Sequence, residues 1–409
     1  MRHGRWARSI GLGFLAVACA FFISRGVASL RRYERSSGQS TRWSGHEAAS
    51  APGPVVLGPD GVSSVRDRPI RIDPVHKGLL AIPEGELEAC SLNICPHEKP
   101  ETISSYLHIL HLHGLDARFN HTKLNSSQAI LKLFTDEDAG RSVLGTPIVV
   151  RTRTGVAFLG GGEDEGVRWL STEAHRDQCL AVLVELGVPL SQRLQVAGGD
   201  AVLRDALRDS VANFSFGQRE LQWTAVAYAL CLPPQRAWTN KLGTTSSFDE
   251  LAEALLDSRL PESSCSGLHL VWAMTMIHRV DREHYEILSS PVRRRLTDRL
   301  RELAAAAVDT QEPDGSWPPD WYRGLAGATQ GTAPTPNLRA PEIRLLVTGH
   351  IAEWLVHLPQ EFAMPEVCLK RAGLWLLSTL KEVNGHEGIQ WVCPRTHGIC
   401  AVRVLSRRG

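Results

Sequence analysis

Five short stretches of the sequence place His, Cys, Asp or Glu beside long apolar segments. They read STEAHRDQ (171–178), GQRELQW (217–223), SSCSGLH (263–269), TGHIAEW (348–354) and THGICAV (396–402). Imidazole, thiol and carboxylate side chains carry acid–base catalysis, nucleophilic catalysis and metal binding. Their recurrence at five such places predicts that these side chains meet in one functional site, although they are far apart in the sequence.

A metal site is the first hypothesis for this chemistry. Cys265, His269, His350 and His397 supply the sulfur and nitrogen ligands that zinc prefers in a tetrahedral site. Zinc is therefore the candidate cofactor. Each of these residues alone also suits a structural role, since His close to Ser or Thr helps to cap a helix and a lone Cys packs as a small apolar residue.

Carbohydrate chemistry is the second hypothesis. Glu220, Glu353 and Asp177 offer a pair of carboxylates, one acid and one base, and Trp223 and Trp354 offer flat surfaces for sugar rings. Both tryptophans also occupy apolar helix positions, where packing in the core explains them as well.

A binding or structural protein without turnover is the third hypothesis. The absence of a recognisable catalytic motif favours this interpretation over the two enzymatic ones. Its ligand would be a glycan or a peptide. The candidate ligand-binding residues are Glu173, His175, Trp223, His350, Trp354 and His397.

Most of the chain that must position these residues has helical periodicity. The predicted helices are 102–113, 126–135, 177–187, 200–213, 219–232, 248–258, 265–278, 291–309, 344–358, 365–382 and 396–408. A small β-hairpin insert is predicted near 147–170, where alternating β-branched residues flank a Gly-rich turn.

The predicted helices are of two kinds. Segments 223–232, 268–277 and 345–356 are apolar on nearly every side, whereas 291–309 carries one apolar stripe opposite arginines. A helix that is apolar on every side must be buried on every side. The alternation predicts an all-α fold, an α/α toroid with an inner and an outer layer. It has about six helix pairs, the last one incomplete, and the candidate site residues lie at the N-termini of its inner helices.

A short motif supports the toroid. Gln311, Gly315 and Trp317 in QEPDGSW, just after the helix 291–309, resemble the QW motif of terpenoid cyclases and protein prenyltransferases. The resemblance implies an α/α toroid over about residues 90–409 in which the Gln and Trp tie outer helices together. Toroidal prenyltransferases and lanthionine cyclases hold zinc with Cys, His or Asp at inner-helix starts, but the ligand motif of neither family is present in this sequence, so the resemblance extends to the fold alone. The Asp-rich acid motif of squalene-type cyclases is absent from the sequence.

The N-terminal region differs from the rest of the chain. Residues 1–30 combine three early arginines with the apolar run IGLGFLAVACAFFIS, which predicts a signal-anchor or export segment. Residues 31–80 are rich in Ser, Gly, Arg and Pro and are predicted to be a disordered linker. The toroid domain then covers 81–409. We expect a cell-membrane protein with a single N-terminal anchor and its folded domain outside the cytoplasm, or a secreted one if the signal is cleaved.

Composition bounds the class of partner. The net charge is +1 over 409 residues, with 43% apolar and 22% charged residues. This balance is typical of a globular protein and argues against nucleic acid as a partner. The membrane is the expected partner of the N-terminal segment.

Overall fold

The computed structural model describes residues 57–97, 102–159, 177–218, 220–260, 263, 265–325, 340–362, 365–384 and 392–407. These residues are mostly helical, as the sequence predicts, and belong to a compact unit, Pro54–Gly409. Their α-helices are α1 (Glu84–Ser91), α2 (Ile103–His113), α3 (Ser127–Thr135), α4 (Glu137–Leu144), α5 (Gln178–Glu185), α6 (Leu203–Ala212), α7 (Leu221–Cys231), α8 (Phe248–Asp257), α9 (Leu268–Glu283), α10 (Ser290–Thr310), α11 (Ala340–Leu355), α12 (Glu366–Glu382) and α13 (Val392–Ser406).

Three small antiparallel hairpins lie between the described helices. They are β1 (Val149–Arg151) with β2 (Val156–Phe158), β3 (Arg193–Val196) with β4 (Gly199–Val202), and β5 (Ala237–Thr239) with β6 (Thr245–Ser247). The first is the predicted insert. The other two are not predicted, because strands of three or four residues are too short to show a clear alternation.

Local sequence explains where several helices begin. Thr102 and Ser126 accept hydrogen bonds from the backbone N–H groups three residues later, at the starts of α2 and α3. Ser247 and Glu250 form a reciprocal capping box at the start of α8. Such caps satisfy N–H groups that have no partner inside the helix.

The helices differ in burial as the sequence pattern predicts. Every residue of α7 is buried. In α10 the buried residues form one stripe: Val292, Leu296, Leu300, Leu303, Ala304, Ala306 and Ala307. A helix buried all round needs neighbours on several sides, whereas α10 needs them only on one.

Six of the described helices contact one another in a closed series. α2 packs against α5, α5 against α7, α7 against α9, α9 against α11, α11 against α13, and α13 against α2. The helices α3, α6, α8, α10 and α12 each follow one member of this series and pack against it.

Glycine residues lie where α11 and α13 approach each other closely. A Cβ atom on Gly349 of α11 would lie 2.7 Å from the backbone N of Gly398 in α13 and 3.0 Å from the carbonyl carbon of His397. No side chain therefore fits between the two backbones at this point. His350 and His397, the neighbours of these glycines, are brought together as a result.

The QW-like stretch binds the end of α10 to its surroundings. The Gln311 side chain donates to the carbonyls of Gly315 (3.0 Å) and Cys368 (2.9 Å), the latter in α12. Trp317 is fully buried and donates from Nε1 to the Ala307 carbonyl at 2.6 Å. These contacts are those of a structural tie between helices, the role that the sequence predicts for this stretch.

Residues 57–80, which composition places in the linker, pack against the helices. Ile70, Val75 and Leu80 donate from their backbone N–H groups to the carbonyls of Leu230 (2.8 Å), Val356 (2.8 Å) and Leu405 (2.9 Å). These carbonyls lie at the C-terminal ends of α7, α11 and α13, where helices leave acceptors without partners. The packed chain therefore begins before residue 81.

Two further expectations concern the N-terminal part of the chain. The predicted export segment, residues 1–30, lies outside the described residues. Among the described residues no helix combines the length and apolar character needed to cross a membrane.

Candidate metal centre

The structure brings three of the predicted metal ligands together. One ligand atom each of Cys265, His269 and His350 lies within 4.8 Å of the others. Cys265 is in a short 3₁₀ turn just before α9, His269 is in the first turn of α9, and His350 is in α11. The ring centroids of His269 and His350 are 5.3 Å apart, in an edge-to-face arrangement.

A second group of the same composition adjoins the first. One ligand atom each of His108, Cys393 and His397 also lies within 4.8 Å of the others. His397, the fourth predicted ligand, belongs to this group, and its ring stacks on that of His350 with centroids 3.6 Å apart. A hydrogen bond between the thiols of Cys265 and Cys393 is the second link between the groups.

The two groups share a sequence spacing. Cys265 and His269 are four residues apart in CSGLH, and Cys393 and His397 are four residues apart in CPRTH. Cys393 and His397 lie on the same face of α13, one turn from each other, whereas Cys265 lies in the turn before α9 and His269 in its first turn. Each group then gains its second imidazole from another helix, His350 from α11 and His108 from α2.

Among the described residues the Nε2 atoms of three histidines take part in no hydrogen bond. His108 donates from Nδ1 to the Ser104 carbonyl at 2.7 Å, and burial lowers its pKa to about 4, so the ring is neutral with a lone pair on Nε2. His397 uses Nδ1 on Glu353 at 2.6 Å. In His350 the Nε2 atom is buried and has no hydrogen-bond partner. An unprotonated imidazole nitrogen with a free lone pair can bind a metal ion.

The surroundings of Cys265 favour its thiolate form. The hydrogen bond from Cys393 lowers the pKa of Cys265 well below its ordinary value; burial opposes this, and the nearby His269 and His350 add to the lowering. Burial lowers the pKa of His269, but the Cys265 thiolate outweighs it and raises that pKa above its ordinary value. The thiolate is the form of cysteine that binds metals and attacks electrophiles.

Glu353 joins two histidines from different helices. Its Oε1 accepts from His111 Nε2 at 2.8 Å and its Oε2 accepts from His397 Nδ1 at 2.6 Å. Burial favours the neutral acid, but His397 and His111 outweigh burial and hold the pKa of Glu353 well below its ordinary value. For His111, burial is outweighed by Glu353, so the pKa of His111 is well above its ordinary value. Glu353 therefore fixes the orientation and the tautomer of His397.

Glu185, the last residue of α5, adds a second carboxyl group beside this network. Its Oε1 accepts from Trp272 Nε1 at 2.6 Å. Burial raises the pKa of Glu185 to about 7, against the opposing charge of His111. A carboxyl group with a pKa in this range exchanges its proton near neutral pH.

The turn that carries Cys265 has an uncommon backbone. Cys265, Ser266 and Gly267 have φ values of 49°, 56° and 80°, all in the left-handed region. Such conformations cost free energy in residues other than glycine and persist only where the surroundings enforce them. Trp321 does so here, because its Nε1 donates to the Ser266 carbonyl at 3.0 Å and its ring is fully buried.

Not all predicted site residues join the cluster. Asp177 accepts from Ser210 (2.7 Å) and Thr224 (2.5 Å) and so ties α6 to α7. Trp354 is buried in the core and donates to Thr275 at 2.9 Å, so it presents no surface to a sugar. Glu173 and His175 lie outside the described residues.

Glu220 and Trp223 border the cluster. The Trp223 ring lies 4.6 Å from that of His269, centroid to centroid, and the charge of Glu220 acts on His269. Glu220 precedes α7 with φ of 56° and accepts from the Gln222 side chain.

The sequence predicts the site residues at the N-termini of helices, and for His350 and Glu353 this prediction is wrong. α11 begins at Ala340, so His350 and Glu353 lie well inside it rather than at its start. The apolar run that marks a buried helix simply begins later than the helix itself.

Five members of the cluster are absent from the sequence-based prediction: His108, His111, Glu185, Cys393 and Cys400, the last through its contact with His111. A signal for two of them exists in SYLHILHLH, where histidines three residues apart share one face of α2. The repeated Cys-x-x-x-His spacing is the signal for Cys393.

No protein-family model, no curated protein and no solved structure matches the chain. The chemistry of the cluster is therefore the basis for assigning a function. It combines soft sulfur and imidazole donors with an ionised carboxylate, a protonated imidazole and a carboxyl group that titrates near neutral pH.

Proposed function

We propose that the chain is a zinc-dependent enzyme whose metal is held by Cys265, His269 and His350. The observation that carries this is the close grouping of a thiolate and two imidazoles, one of which, at His350 Nε2, is buried without a partner. Burying an unsatisfied polar nitrogen costs ~1–3 kcal/mol, which a metal bond would offset. Thiolate and imidazole are the donors that select zinc over magnesium or calcium.

The surroundings favour a catalytic over a purely structural metal. Structural zinc sites use four protein ligands and are closed, whereas catalytic sites combine three protein ligands with an open position. A zinc ion supplies Lewis acidity at such a position. The chain itself provides groups that hold or move a proton close by: His111 on Glu353, and Glu185 on Trp272. The His111 side chain is 28% exposed, so it borders space that solvent reaches.

The α/α toroid is part of the same proposal. The closed series of contacts from α2 through α5, α7, α9, α11 and α13 back to α2 supports a ring of six inner helices. The partners α3, α6, α8, α10 and α12 would form the outer layer, with the last pair incomplete. The cluster draws residues from five of the six inner helices, as expected of a site at the centre of a ring. The contacts of Gln311 and Trp317 support the resemblance to terpenoid cyclases and protein prenyltransferases.

The proposal also includes export of the chain and its attachment to the membrane. The basic start and apolar run within residues 1–30 support an N-terminal membrane anchor with the enzyme outside the cytoplasm, in the cell envelope. The substrate would be a glycan or a peptide. Glycan hydrolysis by paired carboxylates has less support, because Glu353 is held by two histidines and Asp177 by two hydroxyl groups.

A binding protein without turnover is the second candidate function. The observation that favours it is that six donors, enough to saturate a metal with protein ligands, lie in the two groups. Metal exchange separates the candidates: an open position lets a small anion such as cyanide alter the spectrum of a bound Co²⁺ ion, and a closed site does not.

Elemental analysis of the purified full chain, kept reduced and dialysed at neutral pH, tests the proposal. We expect stoichiometric zinc in the wild type and loss of at least one ion in Cys265→Ser and His350→Ala. Cys179→Ala and His278→Ala are the matched controls, since these residues are buried in α5 and α9 outside both groups. Wild-type protein without bound metal after incubation with zinc contradicts the proposal.

A further inference from the structure

The described residues offer more metal donors than one zinc ion uses. Cys265, His269 and His350 form one group of three, and His108, Cys393 and His397 form another. A tetrahedral zinc takes four ligands at most from this set of six.

A single ion would leave some imidazoles unsatisfied. If one zinc bound both thiolates and two histidines, two of the four imidazoles would keep a lone pair in a largely buried place. Among the described residues the Nε2 atom of His350 has no partner, and His108 and His397 make their hydrogen bonds there through Nδ1. Two ions, one in each group, bind all six donors. The second arrangement avoids the cost of leaving buried polar atoms unpaired.

Building on the proposed zinc function, we propose that the centre is dinuclear, with a second zinc-class ion held by His108, Cys393 and His397. The repeated Cys-x-x-x-His spacing supplies each ion with one thiolate and one imidazole that are close in the sequence. α11 and α2 supply the remaining imidazole of each ion. The contacts between the thiols of Cys265 and Cys393, and between the rings of His350 and His397, place the two ions side by side.

Glu353 has a defined part in this arrangement. It accepts the Nδ1 proton of His397 at 2.6 Å, which directs the lone pair of that ring to Nε2. A carboxylate behind a metal-bound histidine fixes the ring and raises its basicity, and loss of such a partner weakens metal binding by ~10–100-fold. Glu353 is thus a positioning residue for the second ion and is not itself a ligand.

The test is a titration of the reduced, chelator-treated full chain with Co²⁺, followed by its sulfur-to-cobalt absorption and by elemental analysis. We expect two ions per chain in the wild type, each with thiolate absorption. His108→Ala should bind one ion, and His269→Ala should also bind one. His113→Ala is the control, since His113 is on α2 but donates to the Ile94 carbonyl at 2.7 Å. We expect it to keep both ions.

The outcomes separate this inference from the proposed function. No bound cobalt contradicts both. One ion per chain that is lost in Cys265→Ser and kept in His108→Ala supports the proposed function and overturns the dinuclear centre. One ion that is lost in both variants indicates a single shared site and overturns it as well.

Variants that fold poorly are covered by two further measurements. The near-ultraviolet circular dichroism of each variant must match that of the wild type. Where His108→Ala does not, Cys393→Ser removes a ligand of the same ion from another helix. Glu353→Gln should weaken only the second cobalt equivalent, by ~10–100-fold, while the first is unchanged. Equal weakening of both equivalents contradicts the assignment of Glu353.

Discussion

Glu185 shows how a single side chain makes the stability of this protein depend on pH. In the folded chain its pKa is about 7, because burial penalises the ionised form more than the charge of His111 and the hydrogen bond from Trp272 favour it. Glu353 adds a like charge and His269 an opposite one. The ordinary pKa of the group is 4.5, so the folded state holds this proton more tightly than the unfolded state does.

The sign of the effect follows from that difference. Below pH 4.5 the carboxyl is neutral in both states, and above about pH 7 the folded chain carries a buried charge. The contribution of Glu185 to the free energy of unfolding is therefore lost as the pH rises through about 7. We predict that Glu185→Gln is more stable than the wild type at pH 8, by up to about 3 kcal/mol, and nearly equal to it at pH 5.

Urea unfolding of metal-free protein at both pH values measures this difference. Glu382→Gln, at an exposed position of α12, controls for the substitution itself and should show no such dependence on pH. If Glu185→Gln has the same effect at pH 5 and pH 8, the carboxyl does not titrate between them.

At the residue scale, the sequence predicts the donors that stand at the start of, or just before, an obvious apolar run. Cys265, His269, His350 and His397 were identified in this way, and the structure places all of them in the cluster. Glu185 is not predictable from its neighbours, because the side chains that change its pKa come from α2, α9 and α11. Asp177 shows the converse: it was predicted as a site carboxylate, yet it accepts hydrogen bonds from Ser210 and Thr224 instead.

At the element scale, the two tryptophans of the stretch QEPDGSWPPDWY have different structural roles. Trp317 donates to the Ala307 carbonyl of α10, the helix that it follows. Trp321 donates to the Ser266 carbonyl in the left-handed turn that holds Cys265, and its ring lies 5.8 Å from that of Trp354. The hydrogen bond of Trp317 stabilises the end of α10, whereas that of Trp321 stabilises the turn that carries Cys265.

We predict that Trp321→Phe and Trp317→Phe separate these roles. Both substitutions keep a buried aromatic ring and remove one N–H donor, so each should destabilise the fold by about 1–3 kcal/mol. Only Trp321→Phe releases the turn at Cys265, and we expect it to weaken Co²⁺ binding by ~10-fold, while Trp317→Phe leaves the affinity unchanged. Metal titration together with thermal unfolding measures both effects. Equal loss of Co²⁺ affinity in the two variants would show that the hydrogen bond from Trp321 does not fix the turn at Cys265.

The helices themselves are largely predictable, for a physical reason. Long segments with a continuous apolar face, such as those that became α7 and α10, leave a clear 3.6-residue pattern. The start of α11 is not visible, because its first turns are less apolar than the segment around Gly349. The close contact of α11 with α13 at Gly349 and Gly398 depends on both helices. It cannot be predicted from the sequence of either segment alone.

At the scale of the whole folded unit, residues 57–80 connect elements that are distant in sequence. Their backbone N–H groups cap the C-terminal ends of α7, α11 and α13. Several of their side chains are buried: Leu57, Val62, Val65, Ile70 and Leu80. Composition alone fails to predict that this segment packs against the helices, because its few apolar residues are spread among Ser, Gly and Pro.

We predict that a chain starting at Pro54 folds and that one starting at residue 81 does not. Burial of an aliphatic side chain contributes ~1.5–3 kcal/mol, so loss of these five removes an amount comparable to the ~5–15 kcal/mol that stabilises a typical domain. Far-ultraviolet circular dichroism during heating compares the two chains. Cooperative unfolding at the same temperature in both would show that residues 57–80 are dispensable.

The distribution of the site along the chain has a consequence for biosynthesis. His108 is translated early, Cys265 and His269 much later, and Cys393 and His397 later still. A ribosome-bound chain that has not yet released α11 and α13 therefore offers isolated thiols and imidazoles, none of which can hold an ion firmly. If the chain binds zinc as proposed, metal loading would follow synthesis, and in an exported protein it would follow translocation. The compartment in which the finished chain folds, rather than the one in which it is made, would then decide which metal it acquires.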